Sequence, residues 1–283
     1  MICYFNENKT PPALCIIVLR QEGKVRLSCK IRLEGGVEIC KNFRQGVLYL
    51  IKEAFIKSGE DGELFYRRWY SFNKSKPFTF SVYFPLRSEG DRKVLEGEYF
   101  KLLFSTNSEE FLIRVYNGLK ELSQEDFRLF GSTAKIEGFN LLPERKFVSE
   151  KVKFKTLSPF LIRDWKNGDY YIYPIDGPFI GKERPDRFKY WVGVDLSEFK
   201  QRLRENMVRI TGKEVRLLDL QVVGVVPVVC GSNNASHRFV ATYPGIKAYL
   251  ELQASHEALK IMYDIGIGAR RSEGFGMLEI VEG

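Results

Sequence analysis

The chain has 283 residues, with 44 Lys or Arg, 36 Asp or Glu and only two His, which gives a formal net charge of +8. Its 44% of hydrophobic residues are typical of globular proteins and exclude disordered and collagen-like classes. No apolar run reaches the roughly 18 residues that a membrane-spanning helix needs, and the N-terminus lacks a signal-peptide pattern. We therefore expect a cytoplasmic protein without a membrane partner. The five cysteines form no CxxC pair, so we expect no disulfide framework, no metal site and no other cofactor.

Hydrophobic periodicity in the first half predicts one strand, a helix, two strands, a helix and a strand, in that order. The predicted elements are a strand over 25–33, a helix over 43–57 capped by Asn42 and followed by the polar loop GEDGE, strands over 78–84 and 98–104 with RSEGDRK as the hairpin between them, a helix over 108–122 and a strand over 129–141. The first 24 residues are predicted to add a pair of strands.

The second half repeats the same order of elements after a break at Leu142-Pro143-Glu144-Arg145. The predicted elements are a strand over 152–157, a Gly/Asp/Pro-rich excursion over 167–187, a helix over 188–209 containing the capping box Asp195-Leu-Ser-Glu198, strands over 217–229, 239–242 and 246–253, a helix over 256–264 and a strand over 276–281. A repeated βαββαβ order predicts an α+β fold of tandem ferredoxin-like domains, residues 1–145 and 146–283, with a C-terminal glycine-rich loop. The two halves carry the same excess of basic residues, which favours a shared basic surface and a polyanionic partner.

The segment GIGARRSEGFG, residues 266–276, contains four glycines and two arginines. Glycine admits positive φ and lets backbone N–H groups approach a ligand, and arginine binds phosphate through charged hydrogen bonds. The segment follows a helix and precedes a strand, which is the reverse of the context of a Rossmann or Walker loop. We interpret it as a loop that contacts a phosphate backbone; the alternative is a plain connection with solvated arginines. Its candidate RNA-binding residues are Gly266, Gly268, Arg270, Arg271, Ser272, Gly274 and Gly276.

The longer segment GIGARRSEGFGML resembles the glycine-rich signature of the repeat-associated mysterious protein (RAMP) superfamily, in particular that of the CRISPR-associated repeat-processing endoribonuclease, the sixth Cas family. Other segments agree in order: Gln45-Gly46 in the first helix, KPFTFSV from Lys76, TLSP from Thr156 and YPGI from Tyr243. The resemblance spans the chain from about residue 25 to the end. It implies a metal-independent endoribonuclease that cleaves CRISPR repeat RNA, leaving a 2′,3′-cyclic phosphate and a 5′-hydroxyl after attack by the 2′-hydroxyl.

Many members of that family place a histidine between the first helix and the next strand, and residues 43–84 of this chain contain none. Alignment through the KPFTFS strand puts the family's histidine position near Tyr66, Arg67 and Arg68, and it matches the family's lysine to Lys76. Arginine stays protonated, so Arg67 or Arg68 would stabilise charge on the phosphorane but would not act as a general base.

Lys76, with Lys74 as the alternative, would donate a proton or act as an electrostatic clamp. Tyr49 or Tyr66 stands where the family has a tyrosine. The alternative for the YRRWY segment is an RNA-contacting surface without chemistry. His256, at the predicted start of a helix, is interpreted as a surface residue that is not catalytic.

Further RNA-binding candidates lie outside the glycine loop. Lys153 and Lys155 alternate with apolar residues on a predicted strand and would form a basic stripe, with Ser158 following. His237 and Arg238 lie in the flexible segment GSNNASHRF, where an RNA contact is the interpretation and His237 is not taken as the base.

A group of arginines on the long helix is interpreted as surface ion pairs: Arg202, Arg204 and Arg209. The expected partner of the protein is CRISPR repeat RNA, the precursor CRISPR RNA, and a CRISPR effector complex and a second copy of the chain are further candidate partners. The competing hypothesis to an endoribonuclease is a homologue that binds the repeat RNA without cleaving it.

Overall fold

In the computed structural model, residues 26–71, 75–164, 168, 170–180, 188, 190–234 and 237–282 are described. The elements of the first half are β1 (Arg26–Leu33), α1 (Phe43–Ile56), α2 (Gly62–Tyr70), β2 (Phe78–Tyr83), β3 (Leu86–Glu89), β4 (Arg92–Leu95), β5 (Tyr99–Thr106), α3 (Glu109–Leu122), β6 (Phe127–Leu129) and β7 (Ser132–Leu142). The main sheet is antiparallel in the order β2-β5-β1-β7-β6. With helices after β1 and β5, this order is that of a ferredoxin-like domain.

The second half repeats this plan with one insertion. Its elements are β8 (Lys151–Thr156), β9 (Ile162–Arg163), β10 (Tyr171–Pro174), β11 (Trp191–Val194), α4 (Leu196–Thr211), β12 (Val215–Asn234), β13 (His237–Ala254), α5 (His256–Ile265) and β14 (Leu278–Glu282). The main sheet has the order β12-β13-β8-β14, and β9, β10 and β11 form a separate small sheet between β8 and α4. The predicted α+β fold of tandem ferredoxin-like units is confirmed.

Local sequence signals explain where these elements begin. On β1, Leu27, Cys29, Ile31 and Leu33 alternate with more exposed residues and face the core. The side chain of Asp195 accepts a hydrogen bond from Glu198 N at 2.9 Å and caps α4, as the predicted capping box requires. Ser108 and Ser255 cap α3 and α5 in the same way.

The structure differs from the predicted elements at four places, because tertiary pairing overrides the local sequence pattern. The predicted helix over 188–209 begins only at Leu196, since Trp191–Val194 pairs with β10 as a parallel strand. The strands predicted over 217–229, 239–242 and 246–253 form one continuous hairpin, β12–β13. RSEGDRK is the turn region of the separate hairpin β3–β4, while β2 and β5 pair directly. The predicted strand over 129–141 is interrupted by a turn at Phe130-Gly131.

Two further details of the first half were not predicted. Residues 62–70 form α2, with Phe65 buried on its inner face. The helix α1 begins after Asn42 as predicted, but the Asn42 side chain makes no capping hydrogen bond. The predicted N-terminal strand pair lies outside the described residues. Among the helices of the described ranges, none is long and apolar enough to cross a membrane.

A buried arginine joins the two halves. Arg26 on β1 is 2% exposed, and its Nη2 donates to the carbonyl oxygens of Tyr263 and Leu278 in the second half, each at 2.7 Å. Its guanidinium also lies 3.4 Å from the centre of the Tyr263 ring and 3.7 Å from the Glu279 carboxylate. Because both carbonyls are buried, Arg26 satisfies polar groups that the contact between the halves would otherwise leave without a partner.

Beside this contact, Asp264 on α5 is a buried carboxyl group with 1% exposure. Its Oδ2 lies 2.9 Å from Lys260 Nζ, and its Oδ1 has no hydrogen-bond partner in the part of the chain that the structure describes. Burial raises the pKa of Asp264 to about 6, although Lys260 and Arg26 act in the opposite direction. Ionisation of Asp264 is therefore less favourable in the folded protein than in the unfolded chain.

We expect Asp264→Asn to make the folded protein more stable at pH 7.5 than the wild type, by about 2 kcal/mol. An acid whose pKa is raised by folding contributes stability below its unfolded pKa of about 4, and this contribution is lost as the pH rises through 6. The gain should disappear at pH 4. Urea unfolding of both proteins across this pH range measures the difference, and stability curves that stay parallel would contradict the prediction.

Candidate nucleic-acid interface

The glycine loop, residues 266–276, connects α5 to β14 and is held on both sides by the protein. The N–H groups of Gly268 and Ala269 donate to Asn206 Oδ1 and to the Leu161 carbonyl, at 2.9 and 2.7 Å. From the first half, Thr79 Oγ1 donates to the Phe275 carbonyl at 2.8 Å. The loop therefore lies where the two ferredoxin-like units meet.

Two of its glycines have a clear packing reason. A Cβ atom on Gly276, whose φ is +71°, would lie 1.8 Å from the Ile267 carbonyl oxygen, and one on Gly274 would lie 2.5 Å from the Phe80 ring. No side chain fits at such distances, so these positions need glycine for the fit of the loop against the protein itself. Contact of the predicted loop glycines with a phosphate backbone stays a prediction.

Next to the loop lies a cleft with a volume of about 1060 Å³. It is lined from the first half by Ser75 and Lys76, and from the second half by Arg163, Gly168, Tyr171, Tyr190, Asn206, Arg209, Ile210, Ala241, Tyr243, Gly268, Ala269, Arg270, Arg271, Ser272 and Glu273. Among these described residues, five are basic and one is acidic, and three tyrosines are interleaved with them. Basic side chains with tyrosine rings are the features that bind the phosphates and bases of nucleic acids.

Arg270 is held firmly in the wall of the cleft. Its Nη1 lies 2.9 and 2.8 Å from the two carboxylate oxygens of Glu273, and its Nε donates to the Tyr171 hydroxyl at 3.0 Å. The guanidinium also lies 4.6 Å from the centre of the Tyr243 ring. Burial alone would lower the pKa of Arg270, but Glu273 and Tyr171 outweigh it and raise the pKa. Arg270 therefore acts as a fixed cation.

Arg271 is in the opposite situation, because it is largely buried and lacks an acidic partner in the described ranges. Its Nη2 donates to Ser75 Oγ at 3.0 Å, while its buried Nη1 has no hydrogen-bond partner among the described residues. Burial, and then the charge of Arg209, lower the pKa of Arg271 to about 10. Burial and the charge of Arg163 also lower the pKa of Arg209. The three guanidinium groups repel one another, and an anion placed among them would relieve this repulsion.

The opposite side of the cleft comes from the segment that follows α2. The Lys76 ammonium lies 4.4 Å from the centre of the Tyr70 ring, and that ring stacks on Tyr66 with centroids 4.3 Å apart. Burial lowers the pKa of Lys76, and the charge of Glu273 partly opposes this. The partly desolvated ammonium group of Lys76 therefore lies in the same cleft as the glycine loop, where the two halves meet.

Residues 142–280 match the family model described as "CRISPR associated protein Cas6, C-terminal". The second half of the chain is therefore a Cas6 C-terminal domain. The glycine loop that carried the resemblance lies within the matched range, and the resemblance stated from the sequence is confirmed. No curated protein matches the sequence.

Solved structures resemble this chain over both halves. One described as "CRISPR associated protein Cas6" is 18% identical, with 92% of this chain and 100% of that chain covered and a TM-score of 0.60. "An RAMP protein binding different RNA substrates" is 17% identical, with coverages of 91% and 100% and a TM-score of 0.62. "Characterization of a Cas6-related gene from Pyrococcus furiosus" is 16% identical, with coverages of 92% and 99% and a TM-score of 0.61. At these identities the likeness shows the shared tandem fold.

Of the catalytic residues predicted from the sequence, the structure places only Lys76 in the described wall of the cleft. Arg67 and Arg68 lie on exposed turns of α2, where Arg67 forms an ion pair with Glu63 at 2.6 Å. Tyr49 on α1 is 53% exposed, outside the described lining of the cleft. Tyr66 contributes indirectly, through its stack on Tyr70. Lys74 lies outside the described residues.

The predicted RNA-binding residues of the second half fall into two groups. Arg270, Arg271, Ser272 and Gly268 line the cleft directly. The others lie outside its described lining: the buried loop glycines Gly266, Gly274 and Gly276, Lys153 and Lys155 on β8, the buried Ser158, and His237 and Arg238 on β13 with side chains outside what the structure describes. The hydroxyl of Ser158 accepts a hydrogen bond from Met277 N at 3.0 Å, so this group is used within the protein. RNA contacts by this second group stay predictions.

Several residues of the cleft were missed in the sequence. Arg202 forms the predicted surface ion pair, with Glu198 at 3.2 Å. Arg209 lines the cleft, a position that the prediction of a surface ion pair did not indicate. Arg163 was assigned to no element. Tyr171 was placed in the Gly/Asp/Pro-rich excursion and Tyr190 in the predicted helix over 188–209. His256 is exposed at the first turn of α5, as expected.

Proposed function

We propose that this protein binds CRISPR repeat RNA in the cleft between its two halves and cleaves it once, by attack of a ribose 2′-hydroxyl on the adjacent phosphate. The products would be a 2′,3′-cyclic phosphate and a 5′-hydroxyl end, and no metal would be required. The observation that carries the proposal is Arg271, a largely buried guanidinium beside Arg209 whose Nη1 has no partner among the described residues. A phosphate group would supply both the missing charge and the missing acceptors.

Lys76 supports the catalytic part of the proposal. Cleavage requires a cation near the phosphorane and an acid that protonates the leaving 5′-oxygen. Lys76 lies in the same cleft as Arg271, and burial makes its ammonium a stronger acid by lowering its pKa. In this proposal Arg271 binds the phosphate and Lys76 protonates the leaving group.

A second candidate function is binding of the repeat RNA without cleavage. It is favoured by the absence of histidine from the described residues that line the cleft, since histidine is the most frequent general base in proteins. A CRISPR effector complex and a second copy of the chain stay predicted partners under either function.

The proposal is tested by incubating the protein with the repeat RNA of its own CRISPR locus in EDTA, beside the same RNA with one 2′-deoxynucleotide at the cut site. We expect single-site cleavage of the first RNA only, with a cyclic phosphate at the new 3′ end. Tight binding of both RNAs without cleavage would favour the second candidate. Failure to bind either RNA would overturn both.

Arg271→Ala should weaken binding of the repeat RNA and reduce the slope of log Kd against log salt by about 0.7 to 1, because one phosphate contact is lost. Arg202→Ala is the matched control, since Arg202 is bonded to two glutamates on the surface of α4 and should leave the slope unchanged. Fluorescence anisotropy at several salt concentrations measures both. Equal slopes for wild type and Arg271→Ala would show that Arg271 does not contact phosphate.

A further inference from the structure

Glu273 is the sole carboxylate among the described residues that line the cleft. It lies in a short 3-10 turn of the glycine loop, over Arg271–Glu273, and its side chain is 33% exposed. A carboxylate is expected to weaken the binding of a polyanion. Its place among five basic residues therefore calls for an explanation beyond RNA affinity.

The carboxylate of Glu273 is held in position but keeps capacity to accept further hydrogen bonds. Both of its oxygens lie within 2.9 Å of the same atom, Arg270 Nη1. Arg270 is itself fixed by the Tyr171 hydroxyl and the Tyr243 ring. A carboxylate has about four lone-pair sites, so a single guanidinium nitrogen leaves acceptor positions for a substrate hydroxyl.

Glu273 also shares its surroundings with the proposed general acid. Its negative charge raises the pKa of Lys76 against the effect of burial, and it acts in the same direction on the Tyr70 hydroxyl beneath that lysine. The described lining of the cleft thus presents one carboxylate and one ammonium group, and in the same wall lies Arg271 Nη1, which has no hydrogen-bond partner among the described residues. Proton transfer at a phosphodiester needs this pair of roles, a base on one side and an acid on the other.

We propose that Glu273 is the general base of the cleavage reaction and takes the place of a histidine; this inference rests on the proposed function. The Glu273 carboxylate removes the proton of the 2′-hydroxyl as the 2′-oxygen forms a bond to phosphorus. The bond from phosphorus to the 5′-oxygen breaks, and that oxygen takes a proton from the Lys76 ammonium. Glu273 ends protonated and Lys76 neutral, and exchange of one proton with water restores both.

The ion pair with Arg270 holds the Glu273 carboxylate in place, with both oxygens within 2.9 Å of Arg270 Nη1. Arg270 is therefore a positioning residue for the proposed base.

The test is Glu273→Gln, which keeps the shape of the side chain and one acceptor but cannot take the proton. We expect single-turnover cleavage of the repeat RNA to fall by about 100-fold, the usual contribution of a general base. RNA affinity should stay equal or increase, because a negative charge leaves the cleft.

Glu125→Gln is the matched control, because Glu125 is also ion-paired, to Lys57 at 2.7 Å, but lies on the surface away from the cleft. It should cleave at the wild-type rate. A second variant, Glu273→Ala, should regain part of its activity in sodium formate, a small carboxylate base, and none in sodium chloride of the same ionic strength.

The outcomes separate this inference from the proposed function. If the wild type cleaves and Glu273→Gln cleaves equally fast, Glu273 is not the base although the protein is a nuclease. If Glu273→Gln loses cleavage together with RNA affinity, and formate restores nothing to Glu273→Ala, the role of Glu273 is structural and the inference is overturned. A wild type that binds RNA without cleaving it overturns both proposals.

Discussion

Replacing Gly276 with alanine should destabilise the protein by about 4 kcal/mol, within the range of substitutions that strain a special backbone conformation and force a core contact apart. The new Cβ would lie 1.8 Å from the Ile267 carbonyl oxygen, at a φ of +71°. Ile267 N–H donates to the Gly276 carbonyl at 3.0 Å, and Gly276 N–H donates to Pro159 at 2.9 Å. Backbone would have to move, and both hydrogen bonds would be lost or distorted.

Gly212→Ala is the matched control for this substitution. Gly212 ends α4 with a φ of +66°, and an added Cβ there would meet nothing within 4 Å. Gly212→Ala should therefore lower the free energy of unfolding only through the unfavourable positive φ, by about 1 kcal/mol. Guanidinium unfolding followed by circular dichroism compares the two variants. If both lose the same amount of stability, the close approach to Ile267 contributes nothing and only backbone conformation matters.

The main course of the fold could be predicted because its signals are local. Strand β1 alternates in burial with period two, and the cap of α4 uses residues only three apart in sequence. Two successive βαββαβ series of predicted elements then indicate tandem ferredoxin-like units. The four glycines and two arginines of the glycine loop also lie in one short segment, so the sequence alone could identify this loop as a candidate site.

The composition of the cleft could not be predicted, because its residues come together only through tertiary structure. The hydrogen bond from Arg271 to Ser75 spans 196 positions of the chain, and that from Arg270 to Tyr171 spans 99. Arg209 is a helical residue among other charged residues, where a surface ion pair is the usual outcome. Only the fold shows that this turn of α4 faces the glycine loop.

The roles of the loop residues also needed the structure. Glu273 stands between arginines and glycines in the sequence, where a loop carboxylate has no evident purpose. Its bond to Arg270 lies within the glycine loop, but its electrostatic effect on Lys76 appears only when both halves are assembled. The residues predicted to replace the histidine, Arg67, Arg68 and Lys76, lie within residues 43–84, whereas the proposed base lies near the other end of the chain.

Arg26→Met should destabilise the folded protein by about 4 kcal/mol, because it removes a buried cation and leaves its partners unsatisfied. The carbonyl oxygens of Tyr263 and Leu278 would each lose a hydrogen bond of 2.7 Å, and Glu279 would lose its ion pair. Since these partners lie in the second half and Arg26 in the first, unfolding should also become less cooperative. We expect two separate thermal transitions where the wild type has one.

Arg32→Met makes the same chemical change on the same strand, at a side chain that is about one-third exposed and bonded to Glu137 within the first half. It should cost less than 1 kcal/mol and leave unfolding cooperative, since exposed ion pairs contribute little. Calorimetry of the three proteins distinguishes the cases. A single transition in Arg26→Met, with a loss no larger than that of Arg32→Met, would show that apolar packing alone joins the halves. Arg26 lies outside the described lining of the cleft, but that lining comes from both halves. If the halves of Arg26→Met unfold in two separate transitions, their weaker contact would also explain a loss of RNA affinity in this variant.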